Sequence, residues 1–395
     1  MRLVGSACNV AQQGSTTTLR LKERRRSADE RGVTRRFLLS ASVALGSLWG
    51  TGAAMAAPQP PPPPAAVPAP VTAPAPPEAP AAGLDSWARG AAKALVADGS
   101  WPELAGEDLS RDATRGDLDR ALGILTGTPG ASPDPTRPLS AWVGHLLVVR
   151  ALGLRPEMRG IARIAIDGGA RVRLPRFAPS EILARELGLV YNQPSSRDAR
   201  ERSRRQTMRL ADLVHMLDRA RRVGSWQRAT LARYRDIRLP AMSPQRLVVV
   251  QAALRQVGQP YVWGGDWPGV RSPWGAQGHG GFDCSGLVWW AFKGSAGSSQ
   301  MSLGDGLLGR TADAMAFERP AERAPVAALA PGDLVFFGPR GPKSRKGSIS
   351  HTGIALGNGW MVHSSGSRGG VALSHLDDYW PSATAFGRRV AQLGA

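Results

Sequence analysis

Apolar residues recur at helical spacing in several stretches of the chain, and the pattern predicts helices around 86–97, 115–126, 138–153 and 205–222. In the last of these, Leu210, Leu213, Met216 and Leu217 form one stripe, and Gly224 stands just past its end as a stop signal. A further helix is marked at both ends: Ser243 caps it, Pro244 occupies its first turn and Gly258 closes it. Another starts at residue 284, where Asp283 is a good N-cap and Leu287, Val288, Ala291 and Phe292 share a core-facing side. Residues 351–366, HTGIALGNGWMVHSSG, read differently. Two short apolar runs flank Gly357-Asn358-Gly359, which predicts a β-hairpin. A three-residue loop at 357–359 would set Leu356 opposite Trp360 and Ile354 opposite Val362, making one apolar face. The other face would carry His351, Gly353, Met361 and His363, with His363 across from Gly353. A two-residue loop would put the two histidines on opposite faces.

The first 56 residues do not read as a folded domain. Arg35-Arg36-Phe37-Leu38-Leu39 follows Thr34 and leads into an apolar stretch to about Trp49, a pattern that resembles a twin-arginine export signal. Ala54-Met55-Ala56 offers a small-residue cleavage site, and the apolar run is too short to span a membrane. An uncleaved anchor is the competing reading. Residues 58–80 hold 12 of the chain's 32 prolines, the composition of an extended spacer. At about 3.1 Å per residue such a spacer reaches roughly 70 Å. The expected organisation is a signal at 1–56, a Pro/Ala-rich linker at 57–83, a mostly helical domain at 84–240 and a second domain at 241–395.

Charge narrows the partners. The chain carries 50 Lys+Arg against 31 Asp+Glu; residues 1–56 account for 9 and 3 of these, which leaves 41 and 28, a net +13, for the rest. Such an excess favours anionic polymers. Nucleic acid is not expected, because no binding fold for it is evident and an export signal argues against it. Residues 198–210 are rich in Arg and read as a solvated helix face.

The chain has two cysteines, and Cys8 would leave with the signal. Cys284 would then be a lone thiol outside the cytoplasm, unable to form a disulfide within its own chain. Its place in a first helical turn, near free backbone N–H groups, favours a thiolate. His351 and His363, both on one hairpin face, complete a Cys–His–His set in which a thiolate attacks, one imidazole transfers the proton and the second group orients the first. His145 and His215 fall in helical patterns, His279 in a Gly-rich loop and His375 near a strand end. No histidine pair has zinc spacing, so neither a metal nor a cofactor is expected.

Several motifs in order carry a resemblance: PYVWGG at 260–265, GFDCSGLV at 281–288, RTA at 310–312, PGDLVFF at 331–337, SHTGIALGNG at 350–359 and MVHSSG at 361–366. Residues from about 244 to 390 resemble the NlpC/P60 cell-wall cysteine peptidases. The resemblance implies an α+β, papain-like fold, an antiparallel sheet packed on helices, preceded here by a mostly helical domain. It implies Cys284 as nucleophile, His351 as base and His363 as orienting residue. Tyr261, Asp283 and Ser285 are implied at the substrate cleft, with Tyr261 near the oxyanion. Two departures stand out: the insertion DWPGVRSPWGAQGHG at 266–280 and the basic loop GPRGPKSRKGSI at 338–349. TRGDLDRALGIL and LSAWVGHLLVVRALGL, at 114–125 and 139–154, weakly resemble S-layer homology repeats, which pack helices into a wall-binding trefoil.

The expected activity is that of an exported, wall-associated cysteine endopeptidase hydrolysing peptidoglycan stem peptides, at the γ-D-glutamyl–diamino acid bond. The expected partners are peptidoglycan and anionic wall polymers, with no membrane span in the mature chain and a monomeric state. The alternatives are an amidase or acyltransferase of the same fold, or a non-catalytic wall-binding protein.

Overall fold

The computed structural model describes residues 87–191, 204–277, 279–294 and 301–394. The signal and linker expected at 1–83 lie outside the described residues, as do residues 198–203 of the Arg-rich stretch.

Where the apolar period is 3.6 the chain is helical: α1 (Arg89–Ala97), α2 (Arg115–Thr126), α3 (Ala141–Ala151), α4 (Arg155–Ala162), α5 (Ala178–Glu186), α6 (Leu210–Arg221) and α7 (Ser225–Leu231). The cap at α2 shows why it starts where it does. The Thr114 hydroxyl accepts from Asp117 N–H at 3.2 Å, while the Asp117 carboxylate accepts from Thr114 N–H at 2.7 Å. Leu210, Leu213, Met216 and Leu217 of α6 are all buried, as their spacing predicts. The segments entering α2, α3 and α6 meet in a closed ring of backbone bonds. Ala113 N–H donates to Met208 O, Met208 N–H to Leu139 O, and Leu139 N–H to Ala113 O, at 2.8–2.9 Å. A short parallel pair, β1 (Ala165–Ile166) with β2 (Arg238–Leu239), closes this region.

The second half begins with α8 (Pro244–Leu254), capped by Ser243 as read from the sequence. The insertion at 266–280 is ordered by pairing: β3 (Asp266–Trp267) runs antiparallel to β6 (Gly281–Phe282), and β4 (Arg271–Ser272) to β5 (Gly275–Ala276). Then follow α9 (Cys284–Trp289), which continues as a π-turn over Trp290–Gly294, α10 (Met301–Gly304) and α11 (Ala312–Phe317). The strands β7 (Arg323–Ala324), β8 (Leu334–Phe337), β9 (His351–Gly357), β10 (Trp360–Ser365), β11 (Gly370–His375) and β12 (Thr384–Arg388) form one antiparallel sheet in the order β11-β10-β9-β8-β12-β7. A row of Leu334, Ile354, Val362 and Leu373 crosses four strands in register and is fully buried with α8 and α9 in the main core. The architecture is the expected α+β arrangement, with helices first and an antiparallel sheet packed on helices after them. No helix among the described residues is long and apolar enough to cross a membrane.

The helices before residue 240 and the sheet after it share that core. Their contact is polar as well as apolar. The Tyr234 hydroxyl donates to Leu373 O at 2.6 Å, its ring meets Trp360 edge-on at 4.9 Å, and Asn358 Nδ2 donates to Arg238 O at 3.0 Å. Arg185 of α5 donates to the carbonyls of Gly369 and Gly258. Losing one such buried bond leaves a strand carbonyl unpaired. Tyr234→Phe is therefore expected to lower unfolding free energy by about 1–2 kcal/mol, and the melt should stay a single transition when followed at once by far-UV dichroism and tryptophan fluorescence. A separate early transition in Tyr234→Phe would show that the two regions unfold independently.

Candidate active site

The site is built by one helix start and one hairpin. Asp283 caps α9 and its carboxylate accepts from Gly286 N–H and, through the other oxygen, from Gly264 N–H at 3.0 Å. This draws the 260–265 segment onto the first turn so closely that a Cβ at Gly286 would lie 1.8 Å from Gly265 O, and only glycine fits there. Arg310 locks the junction. It donates to Gly264 O, Gly265 O and the Ser285 hydroxyl at 2.8–3.2 Å, and pairs with Asp283 at 3.3 Å. Cys284 is a buried free thiol at the start of this helix, with the Thr352 N–H of β9 directed at its sulfur.

The hairpin brings the histidines together, though by a different turn from the one expected. Ile354 does face Val362, but Trp360 pairs with Gly357 and Met361 with Ala355. The loop is thus the two residues Asn358 and Gly359, both left-handed at φ 50° and 79°, and Leu356 is the extra residue of a bulge. The bulge restores the parity that a two-residue loop alone would break. His351 Nε2 and His363 Nδ1 lie 2.8 Å apart, and both rings are buried. Gly353 leaves the space for this pair, since a Cβ there would sit 3.1 Å from His363 Cβ.

Burial decides the charge state. It pushes the Cys284 thiol up to about 12, with the neighbouring Asp283 charge adding to the effect. It takes His351 down to about 3 and His363 well below its ordinary value. The thiolate expected from the helix start is therefore corrected: desolvation outweighs the N–H groups of a short helix, and the resting pair is a neutral thiol beside a neutral imidazole.

Other groups surround the pair. The Tyr379 ring meets His363 edge-on at 4.4 Å and lies 5.6 Å from His351, while its hydroxyl bonds Ser365 Oγ at 2.8 Å. Trp380, half exposed and held at φ 46°, stacks on Tyr379 and stands 6.0 Å from His351. Behind His363, Nε2 lies 3.0 Å from Ser374 Oγ, whose hydroxyl donates to Glu186 of α5. Of the residues implied at the cleft, Tyr261 is half-buried, its backbone bridged to Phe282, two positions before the cysteine. Asp283 and Ser285 are engaged in the cap and with Arg310, and Ser285 is buried.

Residues 258–389 match the family described as NlpC/P60. This part of the chain is an NlpC/P60 domain. Among curated relatives, the probable endopeptidase Rv2190c of Mycobacterium tuberculosis is 39% identical over 132 residues, covering 32% of this chain and 26% of that one. The murein DD-endopeptidase MepH of Escherichia coli is 33% identical over 144 residues, covering 36% and 45%. The bifunctional muramidase/DL-endopeptidase CwlT of Bacillus subtilis is 40% identical over 144 residues, covering 35% of each. The chain thus spans between about a quarter and a half of the length of these relatives.

Within the NlpC/P60 domain, the insertion is anchored rather than loose. Trp267 packs edge-on against Trp290 at 4.4 Å, and Trp274 against Trp289 at 5.9 Å, so its aromatic side chains seat on the far end of α9 from Cys284. Sequence reasoning gave no role to Arg310, Tyr379, Trp380, Ser374 or Glu186. The RTA motif was the one available signal for Arg310; the others meet the site only through the fold.

The buried histidines make stability pH-dependent. Between its ordinary value near 6.5 and its folded value near 3, His351 binds a proton only when the chain unfolds. Stability from this group is present above pH 6.5 and is lost as pH falls, at up to about 1.4 kcal/mol per pH unit. Urea midpoints from pH 7.5 to 5 should therefore fall in the wild type and fall less steeply in His351→Asn. Equal slopes would contradict the burial of a neutral imidazole.

Proposed function

We propose that this chain is an exported cysteine endopeptidase that hydrolyses amide bonds in peptidoglycan stem peptides, at the γ-D-glutamyl–diamino acid bond. The observation that carries this reading is the buried 2.8 Å His351–His363 bond beside the lone thiol of an NlpC/P60 domain. The names of the relatives support the substrate class. They include both a DD- and a DL-endopeptidase, so the choice of bond rests on the family resemblance of the motifs.

In this mechanism His351 Nδ1 is the nitrogen left to take the thiol proton, because Nε2 is taken up by His363. The sulfur attacks the amide carbonyl as Nδ1 accepts its proton, so charge forms only as the C–S bond forms. The tetrahedral oxyanion is stabilised by N–H groups at the start of α9, with Tyr261 as a further donor. Collapse expels the amine, which takes the proton back from His351, and leaves a thioester on Cys284. Water, deprotonated by His351, then releases the acid and the free thiol. His363 holds the ring of His351 and takes no proton from substrate. Asp283, Ser285 and Arg310 shape the cleft by fixing the helix start. The half-exposed Trp380 offers an apolar wall beside His351.

Export rests on the twin-arginine pattern, and localisation at the wall on the substrate class. Wall binding by residues 84–240 is an accompanying reading, favoured by the three-way ring at the entries of α2, α3 and α6.

Mass spectrometry of purified muropeptides after digestion tests the activity and the bond. Cys284→Ala and His351→Ala should each lower turnover by about 10⁴-fold or more, with unchanged thermal melts. His363→Asn keeps a hydrogen-bonding group and should lose only about 10–100-fold. Near-wild-type turnover of Cys284→Ala would eliminate the cysteine mechanism. An inert His363→Asn beside an active His351→Ala would exchange the two roles.

A further inference from the structure

An imidazole that orients another imidazole must itself be oriented. His363 has two ring nitrogens, and only one tautomer lets Nδ1 accept from His351 Nε2–H. That tautomer carries its proton on Nε2 and needs an acceptor there. The group at that position is Ser374 Oγ, 3.0 Å away on β11. A serine hydroxyl can donate or accept, so it does not by itself choose the tautomer. Its proton is committed elsewhere: the hydroxyl donates to Glu186 Oε1. Burial raises the Glu186 carboxyl pKa, while the Arg368 charge beside it favours the ionised form, in which the carboxylate only accepts and the hydroxyl turns its proton away from His363.

Glu186 is the last residue of α5, 188 positions before Ser374 and outside the NlpC/P60 match. It is held from the sheet side as well. Arg368 NH2 pairs with Glu186 Oε2 at 3.0 Å, and its NH1 donates to Glu186 O at 2.8 Å. Its side chain is almost wholly buried, at 6% exposure. The end of a helix is an unfavourable place for a carboxylate, because the free carbonyls there carry partial negative charge. A buried glutamate at such a position, paired on both oxygens, is what a positioning role requires and what a surface role does not.

We propose that Glu186, acting through Ser374, is a positioning residue that sets the tautomers of His363 and His351 so that His351 Nδ1 is free to accept the thiol proton. The hydrogen bonds then run in one direction: His351 to His363, His363 to Ser374, Ser374 to Glu186. The helical region thereby completes the active site of the NlpC/P60 domain instead of only carrying it. This rests on the catalytic reading of Cys284 and His351.

The test needs no peptidoglycan. Iodoacetamide alkylation of Cys284 in the full chain is followed at neutral pH by mass spectrometry of the Cys284 peptide, so Cys8 does not interfere. Ser374→Ala and Glu186→Gln should each slow alkylation by about tenfold, with folding checked by dichroism. Ser374→Thr, which keeps the hydroxyl, should recover most of the rate. The double variant should be no slower than Ser374→Ala alone, because the carboxylate acts only through the hydroxyl. On muropeptides the same variants should lose kcat at unchanged KM. If Glu186→Gln does not fold, Glu186→Asp replaces it: it keeps the charge for Arg368 but ends short of Ser374, and should slow alkylation likewise. The proposal is overturned if the glutamate variant reacts at the wild-type rate, or if its effect is as large in the Ser374→Ala background as alone. Failure of the peptidoglycan reading would look different, as absent muropeptide turnover with the alkylation pattern intact.

Discussion

Two imidazoles buried within 2.8 Å of each other leave no room for a wrong proton. In water such a pair can adopt either tautomer or a charge at little cost. Here both rings are shielded, and burial holds both well below their ordinary pKa values. One ring must donate and the other accept, and everything around them serves that arrangement. The bulge at Leu356 returns both side chains to one face, Gly353 leaves the volume for the second ring, and the Tyr379 ring walls the pair from solvent. In the mechanism proposed above, a thiol and base neutral at rest acquire charge only as substrate is attacked.

The same requirement joins the two halves of the chain. An open antiparallel sheet has two edges, and β11 is one of them here. The helical region covers it with α5, pairs its loop carbonyls with Arg185, takes the Leu373 carbonyl with Tyr234 and reaches its Ser374 hydroxyl with Glu186. Covering an edge protects it from pairing with other chains. In this molecule the cover also carries a carboxylate to within one hydroxyl of the His351–His363 hairpin. The shared core means that the helices and the site are supported together, although the family match is confined to the second half.

Much of this was legible in the sequence where periodicity speaks for itself. The helix at 115–126, the stripe of α6, the Ser243–Pro244 start of α8 and the Asp283 cap of α9 all appear where their local signals place them. The meeting of His351 and His363 was also legible, because apolar alternation favoured the arrangement that puts both on one face. The turn itself was misread: a bulge adds one residue and is indistinguishable, by parity, from a longer loop. The thiolate was misread for another reason. A first-turn cysteine advertises N–H groups, but the depth of its burial depends on strands far along the chain. The link from Glu186 to the histidine pair was illegible, since its partners Arg368 and Ser374 lie more than 180 positions away. Its one local signal was an acidic side chain at a helix C-terminus, where the dipole disfavours it.

The most direct test of the central claim is to trap the intermediate. The protein, mixed with a purified muropeptide and quenched in acid, is digested and its peptides are mapped by mass spectrometry. A thioester between the γ-glutamyl acyl group and Cys284, lost on treatment with hydroxylamine, is the predicted result. Muropeptide turnover with the acyl group on another residue, or with Cys284 already blocked by alkylation, would contradict the account.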